Sequence, residues 1–337
     1  MRDEKLKNGN KRMKATAVAP SNIAFIKYWG TKDDVLRLPK NGSISMNLNN
    51  LLTTTTVEFN PDFYQDTVIV DNIQKVIEGN RVVKHLDRIR ALANIDDKAK
   101  VVSINNFPSS TGLSSSASGF AALTVAGAAA VGLKLSEKEL SILARQGSGS
   151  ACRSIPDGFV EWLDGDTSET SYSVSLHKSD YWDLVDVVAM TSTNKKEISS
   201  TEGHKLATSS AFFDARLDLN KKKMRSVKKY LKEKNFTAFG ELIEAEALEL
   251  HAIYLTSRPS LIYLLPESLR VLHHVKKWRQ EGLEVYFTLN TGQDVHLICE
   301  KKNVKKVVSL VEKVEGVQKT IINHPSNGAR VVTKHLF

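Results

Sequence analysis

A loop rich in serine and glycine constrains the fold of this chain more than any other feature of its sequence. A strand is predicted over Val101–Asn105, the loop Asn106–Phe120 reads NFPSSTGLSSSASGF, and an alanine-rich helix is predicted over Ser115–Val131. Small residues let the main chain approach a phosphate, and the first N–H groups of a helix have no partners within it. The helix dipole adds a partial positive charge there. The pattern predicts a phosphate-binding unit; a serine-rich surface turn is the alternative.

The loop differs from a Walker A loop, because it has no Gly-Lys-Ser or Gly-Lys-Thr sequence. A serine hydroxyl at the start of the helix, from Ser115 or Ser116, is a suitable ligand for the Mg²⁺ that accompanies ATP. The loop therefore indicates ATP and Mg²⁺ as cofactors.

The composition is that of a globular protein without a membrane-spanning segment. Hydrophobic residues make up 41% of the 337 residues and charged residues 25%. No apolar run reaches the roughly 18–20 residues of a membrane helix, and the longest candidate, Gly119–Leu133, is predicted to be a buried helix. The two cysteines, Cys152 and Cys299, are too few for a disulfide framework and lack metal-ligand spacing. We therefore expect a cytoplasmic protein.

The formal net charge of +9, from 47 basic and 38 acidic residues, indicates an anionic partner. The basic residues concentrate in the first 13 residues, in Lys221–Lys234 and in Lys301–Lys306. None of these segments has the aromatic interleaving of a surface that stacks nucleobases. We therefore expect an anionic small molecule and no nucleic acid.

The pattern along the chain predicts an α+β protein with two domains. Residues 1–13 are predicted to be a disordered leader, 14–195 the N-terminal domain and 196–337 the C-terminal domain. The predicted strands lie at Lys14–Trp29 (with a turn at Pro20–Asn22), Ser43–Leu48, Thr53–Phe59, Val101–Asn105, Gly158–Leu163, Leu184–Met190, Glu284–Leu289 and Val295–Glu300. The predicted helices lie at Arg81–Leu92, Ser115–Val131, Glu137–Arg145, Lys205–Leu217, Lys221–Lys234, Phe236–Leu255, Glu267–Glu281 and Val304–Val314.

Several segments resemble a known enzyme family. Pro108–Ser118 (PSSTGLSSSAS) resembles the GHMP kinase phosphate loop, Pro-x-x-x-Gly-Leu-x-Ser-Ser-Ala. Further segments resemble the diphosphomevalonate decarboxylases of that superfamily, in the family's order: Ala19–Gly30, Leu38–Leu48, Arg145–Ser154 with Phe159–Trp162, Ser199–Gly203 and Glu246–Tyr263. The resemblance implies a two-domain GHMP kinase fold, with an N-terminal ATP-binding domain and mixed sheets on which helices pack.

The resemblance also implies the site residues. Those implied to bind ATP are Pro108, Gly112, Leu113, Ser114, Ser115 and Ser116, with Ser116 as the Mg²⁺ ligand. Those implied to bind the substrate are Tyr28, Trp29, Gly30, Arg81, Ser148, Gly149, Ser150, Arg153, Ser200 and Thr201. The catalytic candidates are Lys27, Arg153, Asn290 and Asp294.

These residue types suit a substrate with a carboxylate at one end and phosphates at the other. Arg153 offers a planar fork for either group, with a surface salt bridge as its alternative role. Lys27 stands where a strand ends, at an expected cleft edge, and an ordinary strand-end lysine is its alternative role. The residues predicted to be structural are Trp29, Cys152, His251 and His296.

Two positions depart from the family pattern. The family places an aspartate, as base or as stabiliser of positive charge, in a segment like Thr-x-Asp-Ala-Gly-Pro-Asn, and Thr288–Asp294 (TLNTGQD) has Asn290 there. A unit charge about 4 Å away contributes roughly 4 kcal/mol at an effective dielectric near 20, so a slower reaction is predicted unless another carboxylate substitutes. Asp294 can substitute only through a turn at Gly292. Thr31 stands where the family usually has lysine, which predicts a substrate with less phosphate.

The resemblance implies ATP-dependent decarboxylation of (R)-5-diphosphomevalonate, or of 5-phosphomevalonate, to isopentenyl diphosphate or phosphate through 3-O-phosphorylation. One alternative is a 3-kinase without decarboxylation, or an ATP-independent decarboxylase of mevalonate 3,5-bisphosphate. Another is a non-catalytic or nucleic-acid-binding protein on the same fold. The expected partner is a small-molecule mevalonate phosphate, with no nucleic acid and no membrane, and a homodimer is left open.

Overall fold

The computed structural model describes residues 13–109, 112–194 and 198–337, and their strands form two main sheets. Of the predicted leader, only Met13 falls within the described residues, and it begins the first strand. The strands are β1 (Met13–Ile26), β2 (Thr31–Asp33), β3 (Leu38–Pro39), β4 (Ser43–Asn60), β5 (Thr67–Val70), β6 (Ile73–Gln74), β7 (Lys98–Asn105), β8 (Phe159–Trp162), β9 (Ser173–His177), β10 (Leu184–Met190), β11 (Val285–Leu289), β12 (Val295–Glu300), β13 (Lys319–Asn323) and β14 (Arg330–Val332).

The first sheet is built around the long antiparallel pair β1 and β4. In the described part of the chain it has eight strands in the order β14-β1-β4-β7-β5-β6, with β8 pairing with both β4 and β9. The turn predicted at Pro20–Asn22 is wrong, because β1 continues through Pro20. Its register with β4 shifts there instead, so that residues 49–51 of β4 bulge out of the pairing.

The second sheet is antiparallel, in the order β11-β12-β10-β13. The helices are α1 (Arg81–Ala93), α2 (Ser115–Ala130), α3 (Glu137–Gly147), α4 (Ser200–Lys205), α5 (Phe213–Glu233), α6 (Phe236–Thr256), α7 (Pro266–Gln280) and α8 (Val304–Val311). The alanine-rich α2 is buried against the first sheet, as predicted, while Ala247 of α6, Val271 of α7 and Val307 of α8 pack in the core of the second sheet. None of the described helices combines the length and the hydrophobicity of a membrane span.

The prediction of two separate helices near Lys205–Leu217 and Lys221–Lys234 is wrong. The structure has the short α4 before them and one long helix, α5, that runs through residues 218–220 without a break. Asn220 is buried in α5, and its Nδ2 lies 3.5 Å from the main-chain oxygen of Gly42. The burial of a whole face of α5, which includes Arg216, Asn220 and Met224, outweighs the weak helix propensity of the Asp-Leu-Asn stretch.

A hydrophobic core joins the two sheets. It contains Phe25 and Met46 of the first sheet, Phe239 of α6 and Tyr286 of the second sheet, and the rings of Phe25 and Phe239 are 4.8 Å apart. Across this junction, β10 pairs within the second sheet, while β14 returns to pair with β1. The shared core and these strand pairings hold the ends of both sheets next to each other. The division into domains at residue 195 stays a prediction.

His85 is buried between α1 and α2, with Nε2 2.8 Å from Thr124 Oγ1. Burial, reinforced by the charges of Arg88 and Arg81, lowers the pKa of His85 to about 3. The unfolded chain therefore binds a proton that the folded chain excludes once the pH falls below the ordinary histidine pKa near 6.5. We expect the free energy of unfolding to fall by up to about 1.4 kcal/mol per pH unit between pH 6 and pH 4 because of this residue.

Urea unfolding at pH 4.5, 5.5 and 7 measures this dependence. His85→Gln keeps a donor for Thr124 without a titrating group, so its stability should depend less on pH than that of the wild type. His273→Gln, at an exposed position of α7, is the matched control and should behave as the wild type. Equal pH dependence in His85→Gln and the wild type would contradict the prediction.

Candidate active site

A cavity of about 270 Å³ lies where loops from both sheets meet, and cationic side chains surround it. Its lining residues are Ala24, Lys27, Tyr28, Trp29, Arg37, Arg81, Gly112, Ser114, Ser115, Ser116, Ser148, Gly149, Ser150, Arg153, Ser199, Ser200, Thr201, His204, Leu250, Tyr254, Asn290 and Thr291. Four of them are lysine or arginine, and none of these described residues is an aspartate or glutamate. Since uncompensated charge is costly away from water, the cavity is suited to an anionic ligand.

The serine-rich loop forms one wall of the cavity. Ser114 occupies the N-cap of α2 with a left-handed φ of 57°, and Ser115 and Ser116 are the first residues of the helix. Gly112 has a φ of 115°, and a Cβ there would lie 2.7 Å from the Cα of Gly292, so the position requires glycine. The N-terminus of α2 and its hydroxyl groups thus line the cavity, as the phosphate-loop prediction requires.

Arg153 lies in a short 3₁₀ helix that follows α3, and it is buried. Its Nε donates to Ser45 Oγ at 3.0 Å, its Nη1 to Ser43 Oγ at 2.7 Å and its Nη2 to Asn22 Oδ1 at 3.1 Å. All three acceptors are neutral, and no ion pair between Arg153 and a described carboxylate is present. The surface salt bridge is therefore excluded as its role. The guanidinium is held in one orientation with its charge available to a carboxylate or phosphate.

Lys27 and Asn290 connect the two sheets inside the cavity. Lys27 Nζ donates to the main-chain oxygen of Ala24 at 2.5 Å and to Asn290 Oδ1 at 3.3 Å. Asn290 Nδ2 in turn donates to Ser114 Oγ at 3.1 Å, which links the loop after β11 to the phosphate loop. Burial lowers the pKa of Lys27 to about 7, although the charge of Glu246 acts in the opposite direction. Lys27 is therefore not an ordinary strand-end lysine.

Arg37 and Arg81 form a second cationic group in the lining. Arg81 Nη2 donates to the main-chain oxygen of Gly147 at 2.9 Å, and Arg37 Nε donates to that of Gln146 at 3.2 Å. Both side chains are thus held by the C-terminal end of α3. Although Arg81 keeps contact with solvent, partial desolvation and the charge of Arg37 lower its pKa to about 10. Because the positive charge of each guanidinium destabilises the charged form of the other, a bound anion stabilises both.

Aromatic rings line the cavity beside α4. His204 stacks on Tyr28 with ring centroids 4.3 Å apart and packs against Trp29 at 4.1 Å. His204 Nδ1 accepts a hydrogen bond from the main-chain N–H of Gly30 at 3.0 Å. A Cβ at Gly203 would lie 2.7 Å from the Trp29 ring, so close packing of α4 on this ring depends on glycine. Trp29 is fully buried and lines the cavity, and its role in packing or in substrate binding stays a prediction.

Comparison with known proteins places this arrangement in a family. The model of the diphosphomevalonate decarboxylase-like N-terminal domain matches residues 19–173, and that of the mevalonate 5-diphosphate decarboxylase C-terminal domain matches residues 186–334. The diphosphomevalonate decarboxylase of Candida albicans is 34% identical over 317 residues, 89% of this chain and 88% of that protein. The chain belongs to the diphosphomevalonate decarboxylase family.

Solved structures of the family have the same fold. Mevalonate diphosphate decarboxylase from Staphylococcus aureus matches with a TM-score of 0.91 and 36% identity, over 96% of this chain and 99% of that one. A structure of MDDEF in complex with MVAPP, AMPPCP and magnesium matches with a TM-score of 0.90 and 35% identity, over 96% and 100% of the two chains. The predicted α+β fold of the GHMP kinase type is confirmed.

Most site residues implied by the family resemblance line the cavity. These are Lys27, Tyr28, Trp29, Arg81, Gly112, Ser114, Ser115, Ser116, Ser148, Gly149, Ser150, Arg153, Ser200, Thr201 and Asn290. Gly30, Pro108, Leu113 and Asp294 are not in the lining. Ser110 and Thr111 of the phosphate loop lie outside the described residues. The individual roles in binding and catalysis stay predictions.

Asp294 and Leu113 have structural contacts instead. Asp294 is 3% exposed, and its Oδ1 accepts a hydrogen bond from the main-chain N–H of Thr191 at 3.1 Å. The turn at Gly292 therefore does not bring this carboxylate into the lining of the cavity. Leu113 is in the hydrophobic core, and its main-chain oxygen accepts a hydrogen bond from Ser21 Oγ at 2.6 Å.

Sequence reasoning missed several lining residues of this family member. They are Ala24, Arg37, Ser199, His204, Leu250, Tyr254 and Thr291. Arg37 directly precedes one family-like segment and His204 directly follows another, so extending each segment by one residue finds both. The contributions of Leu250 and Tyr254 depend on how α6 packs, which the local sequence does not reveal.

The two histidines predicted to be structural have partners in the described structure. His251 Nε2 lies 3.2 Å from the main-chain oxygen of Asn290, and burial lowers the pKa of His251 to about 4. His296 Nδ1 lies 2.9 Å from Asp186 Oδ2 between β12 and β10. Both therefore stabilise strands and loops behind the cavity.

The donors at the phosphate loop fit Mg²⁺ that arrives with a nucleotide. Ser148 Oγ donates to Ser116 Oγ at 3.4 Å, and both hydroxyls line the cavity. Such oxygen donors suit Mg²⁺, which normally takes its remaining ligands from phosphates and water. Across the three described stretches, no cluster of three or more His, Cys, Asp or Glu side chains is placed to hold a metal. Ser116 stays the predicted protein ligand of such a site.

Proposed function

We propose that the protein catalyses the ATP-dependent decarboxylation of mevalonate 5-diphosphate, or of mevalonate 5-phosphate, to isopentenyl diphosphate or isopentenyl phosphate. The observation that carries this proposal is one cavity in which a phosphate loop faces buried cations and in which no described lining residue is acidic. A nucleotide and a substrate with a carboxylate at one end and phosphates at the other match these charges. The complex of MDDEF with MVAPP, AMPPCP and magnesium supports the assignment.

The cations divide between the two ends of the substrate in this proposal. Arg153, held by three neutral acceptors, binds the carboxylate through its two-pronged face. Arg37 and Arg81 bind the phosphate at position 5. Thr31 Oγ1 donates to Asp34 Oδ1 and does not line the cavity, so the lysine usual in the family has no counterpart there. The assay below therefore compares both phosphorylation states.

The chemistry requires an activated leaving group, because a tertiary hydroxyl leaves poorly. The 3-hydroxyl oxygen gives up its proton to a basic group and forms a bond to the γ-phosphorus of ATP. The bond from that phosphorus to the β,γ-bridging oxygen breaks, and ADP departs with the electron pair. The new phosphate then leaves with the electron pair of its C–O bond while positive charge develops at C3. The electrons of the bond to the carboxylate form the double bond as CO₂ departs. Ser116 would hold the Mg²⁺ that accompanies the nucleotide, and the ion would neutralise the phosphate charges.

A cytoplasmic location and a homodimer are further proposals. Cys152 and Cys299 are buried free thiols, and burial raises their pKa to about 11 and about 12, so both stay protonated and unreactive in a reducing compartment. Sedimentation of the purified protein tests the homodimer.

The proposed reaction releases ADP and CO₂ in a ratio of one to one. Purified protein with Mg-ATP is supplied with mevalonate 5-phosphate or 5-diphosphate, and ADP and ¹⁴CO₂ from a carboxyl-labelled substrate are followed together. ADP without CO₂ identifies a 3-kinase, and CO₂ from mevalonate 3,5-bisphosphate without ATP identifies an ATP-independent decarboxylase. Either result, or the absence of both products, contradicts the proposed function.

Replacing Ser116 by leucine should abolish ADP formation. The larger apolar side chain fills the space in front of the N-terminus of α2 and removes the candidate Mg²⁺ ligand, so we expect a loss of at least about a hundredfold. Circular dichroism checks that the variant is folded, and Ser309→Leu at an exposed position of α8 is the control. Undiminished ADP release from folded Ser116→Leu would refute the assignment of the phosphate loop.

Arg153→Lys keeps the charge but loses the planar fork. The ammonium cannot contact Ser43, Ser45 and Asn22 together with a substrate carboxylate. We expect kcat/KM to fall by at least about tenfold, or some 1.4 kcal/mol. Arg225→Lys on the exposed side of α5 should have no effect. Full activity in Arg153→Lys would show that only the charge of Arg153 matters.

A further inference from the structure

The proposed reaction needs a group that accepts the proton of the substrate hydroxyl, and the cavity has no acidic side chain among its described lining residues. Asn290 stands at the family's aspartate position and cannot accept a proton near neutral pH. Asp294 binds the main chain outside the lining. The proton acceptor must therefore come from another type of side chain.

The other titratable groups of the lining are poor proton acceptors. Burial raises the pKa of Tyr28 and of Tyr254 above the ordinary tyrosine value, so both keep their protons. His204 Nδ1 accepts from the N–H of Gly30. A neutral imidazole that accepts at Nδ1 carries its proton on Nε2, so His204 offers the cavity a donor rather than an acceptor. Arg37, Arg81 and Arg153 remain protonated.

The hydrogen-bond partners of the Lys27 side chain are both neutral oxygens. Lys27 is 2% exposed, and its Nζ donates to Ala24 O at 2.5 Å and to Asn290 Oδ1 at 3.3 Å. In the neutral form, the two N–H donors of the amine match these two oxygens, and the lone pair is then left for a ligand. The Glu246 carboxylate accepts a hydrogen bond from the main-chain N–H of Lys27 and pairs with Arg216 and Lys223. Lys27 Nζ has no ion pair with a described carboxylate.

The charges around Lys27 act in both directions. Burial has the largest effect and lowers the pKa of Lys27, Arg153 and Arg216 lower it further, and Glu246 and Asp186 raise it; the result is about 7. His251, also packed nearby, is neutral because burial lowers its pKa to about 4. Near pH 7 the amine and ammonium forms of Lys27 are therefore both populated.

Asn290 is the residue that permits the neutral form. Its Nδ2 is held by Ser114 Oγ, which turns Oδ1 towards Lys27. An aspartate at this position would place a carboxylate beside Nζ and keep Lys27 protonated. The replacement of aspartate by asparagine thus removes one proton acceptor and releases the lone pair of another.

We propose that Lys27 is the catalytic base of this protein and accepts the proton of the substrate's 3-hydroxyl. The inference rests on the proposed function. The Lys27 lone pair takes the hydroxyl proton, the oxygen forms its bond to the γ-phosphorus, and the bond from that phosphorus to the β,γ-bridging oxygen breaks with its electron pair on ADP. The products of this step are ADP, the 3-phosphorylated substrate and the Lys27 ammonium. Its proton returns to solvent or to the phosphate that leaves next.

The pH dependence of kcat/KM for ADP release tests the proposal. The wild type should show a rate that falls tenfold per pH unit below about pH 7 and is level above it, because only the neutral amine is a base. Lys27→Arg keeps a cation that cannot deprotonate, so we expect a loss of at least about a hundredfold at pH 8. Lys276→Arg, exposed on α7, is the matched control. Asn290→Asp supplies a carboxylate base and should move the acidic limb below pH 6.

The substrate phosphates also titrate near pH 6, and they are identical in the assays of every variant. An acidic limb that persists unchanged in Lys27→Arg belongs to the substrates and overturns the proposal, as does activity of that variant within threefold of the wild type. In both cases ADP release by the wild type still supports the proposed function, so the two failures are distinguishable.

NMR of protein labelled with ¹³C at lysine Cε tests the base without turnover. One resonance, absent from Lys27→Arg, should titrate with a midpoint near pH 7 in the wild type and above pH 9 in Asn290→Asp. A Lys27 resonance that stays in the ammonium form up to pH 9 in the wild type would overturn the proposal, whichever reaction the protein catalyses.

Discussion

The buried carboxylate of Glu246 is the interaction on which the active-site geometry depends. It accepts a hydrogen bond from the main-chain N–H of Lys27 at 3.1 Å and pairs with Arg216 and with Lys223, the latter at 2.7 Å. Arg216 also donates to the main-chain oxygen of Lys27 at 2.8 Å. Burial acts to raise the pKa of Glu246, but the two cations outweigh it, so the pKa lies below its usual value. Because breaking such a pair costs about 3–5 kcal/mol, α5 and α6 stay attached to the end of β1.

The Glu246 carboxylate does not neutralise the arginines that line the cavity. Glu246 neutralises cations behind Lys27, whereas Arg153 is held by hydroxyl and amide oxygens and Arg81 by a main-chain oxygen. Neutral acceptors orient a guanidinium without cancelling its charge. The fold therefore separates charges that stabilise the structure from charges that bind ligands, and a substrate with anionic groups at both ends completes the second set.

Asparagine instead of the family's aspartate at position 290 alters the electrostatic surroundings of Lys27. The amide bridges Lys27 and Ser114, so it preserves the contact between the two sheets that a carboxylate at the same place would make. What changes is the charge balance around Lys27, because an amide does not stabilise an ammonium as a carboxylate does. In the sequence, Asn290 appears only to remove a proton acceptor. In the structure, the same change also lowers the tendency of Lys27 to hold its proton.

The sequence by itself determined the local units of this protein. The phosphate loop and α2 follow from small residues before an alanine-rich segment, and most lining residues lie in segments that retain the family's order. Only the tertiary structure decided what depends on distant residues. Burial of one face of α5 keeps the helix continuous through Asn220, and the hydrogen bond from Asn290 to Ser114 joins residues that are 176 positions apart. The pKa of Lys27 depends on burial by both halves of the chain, because desolvation is a property of packing and not of local sequence.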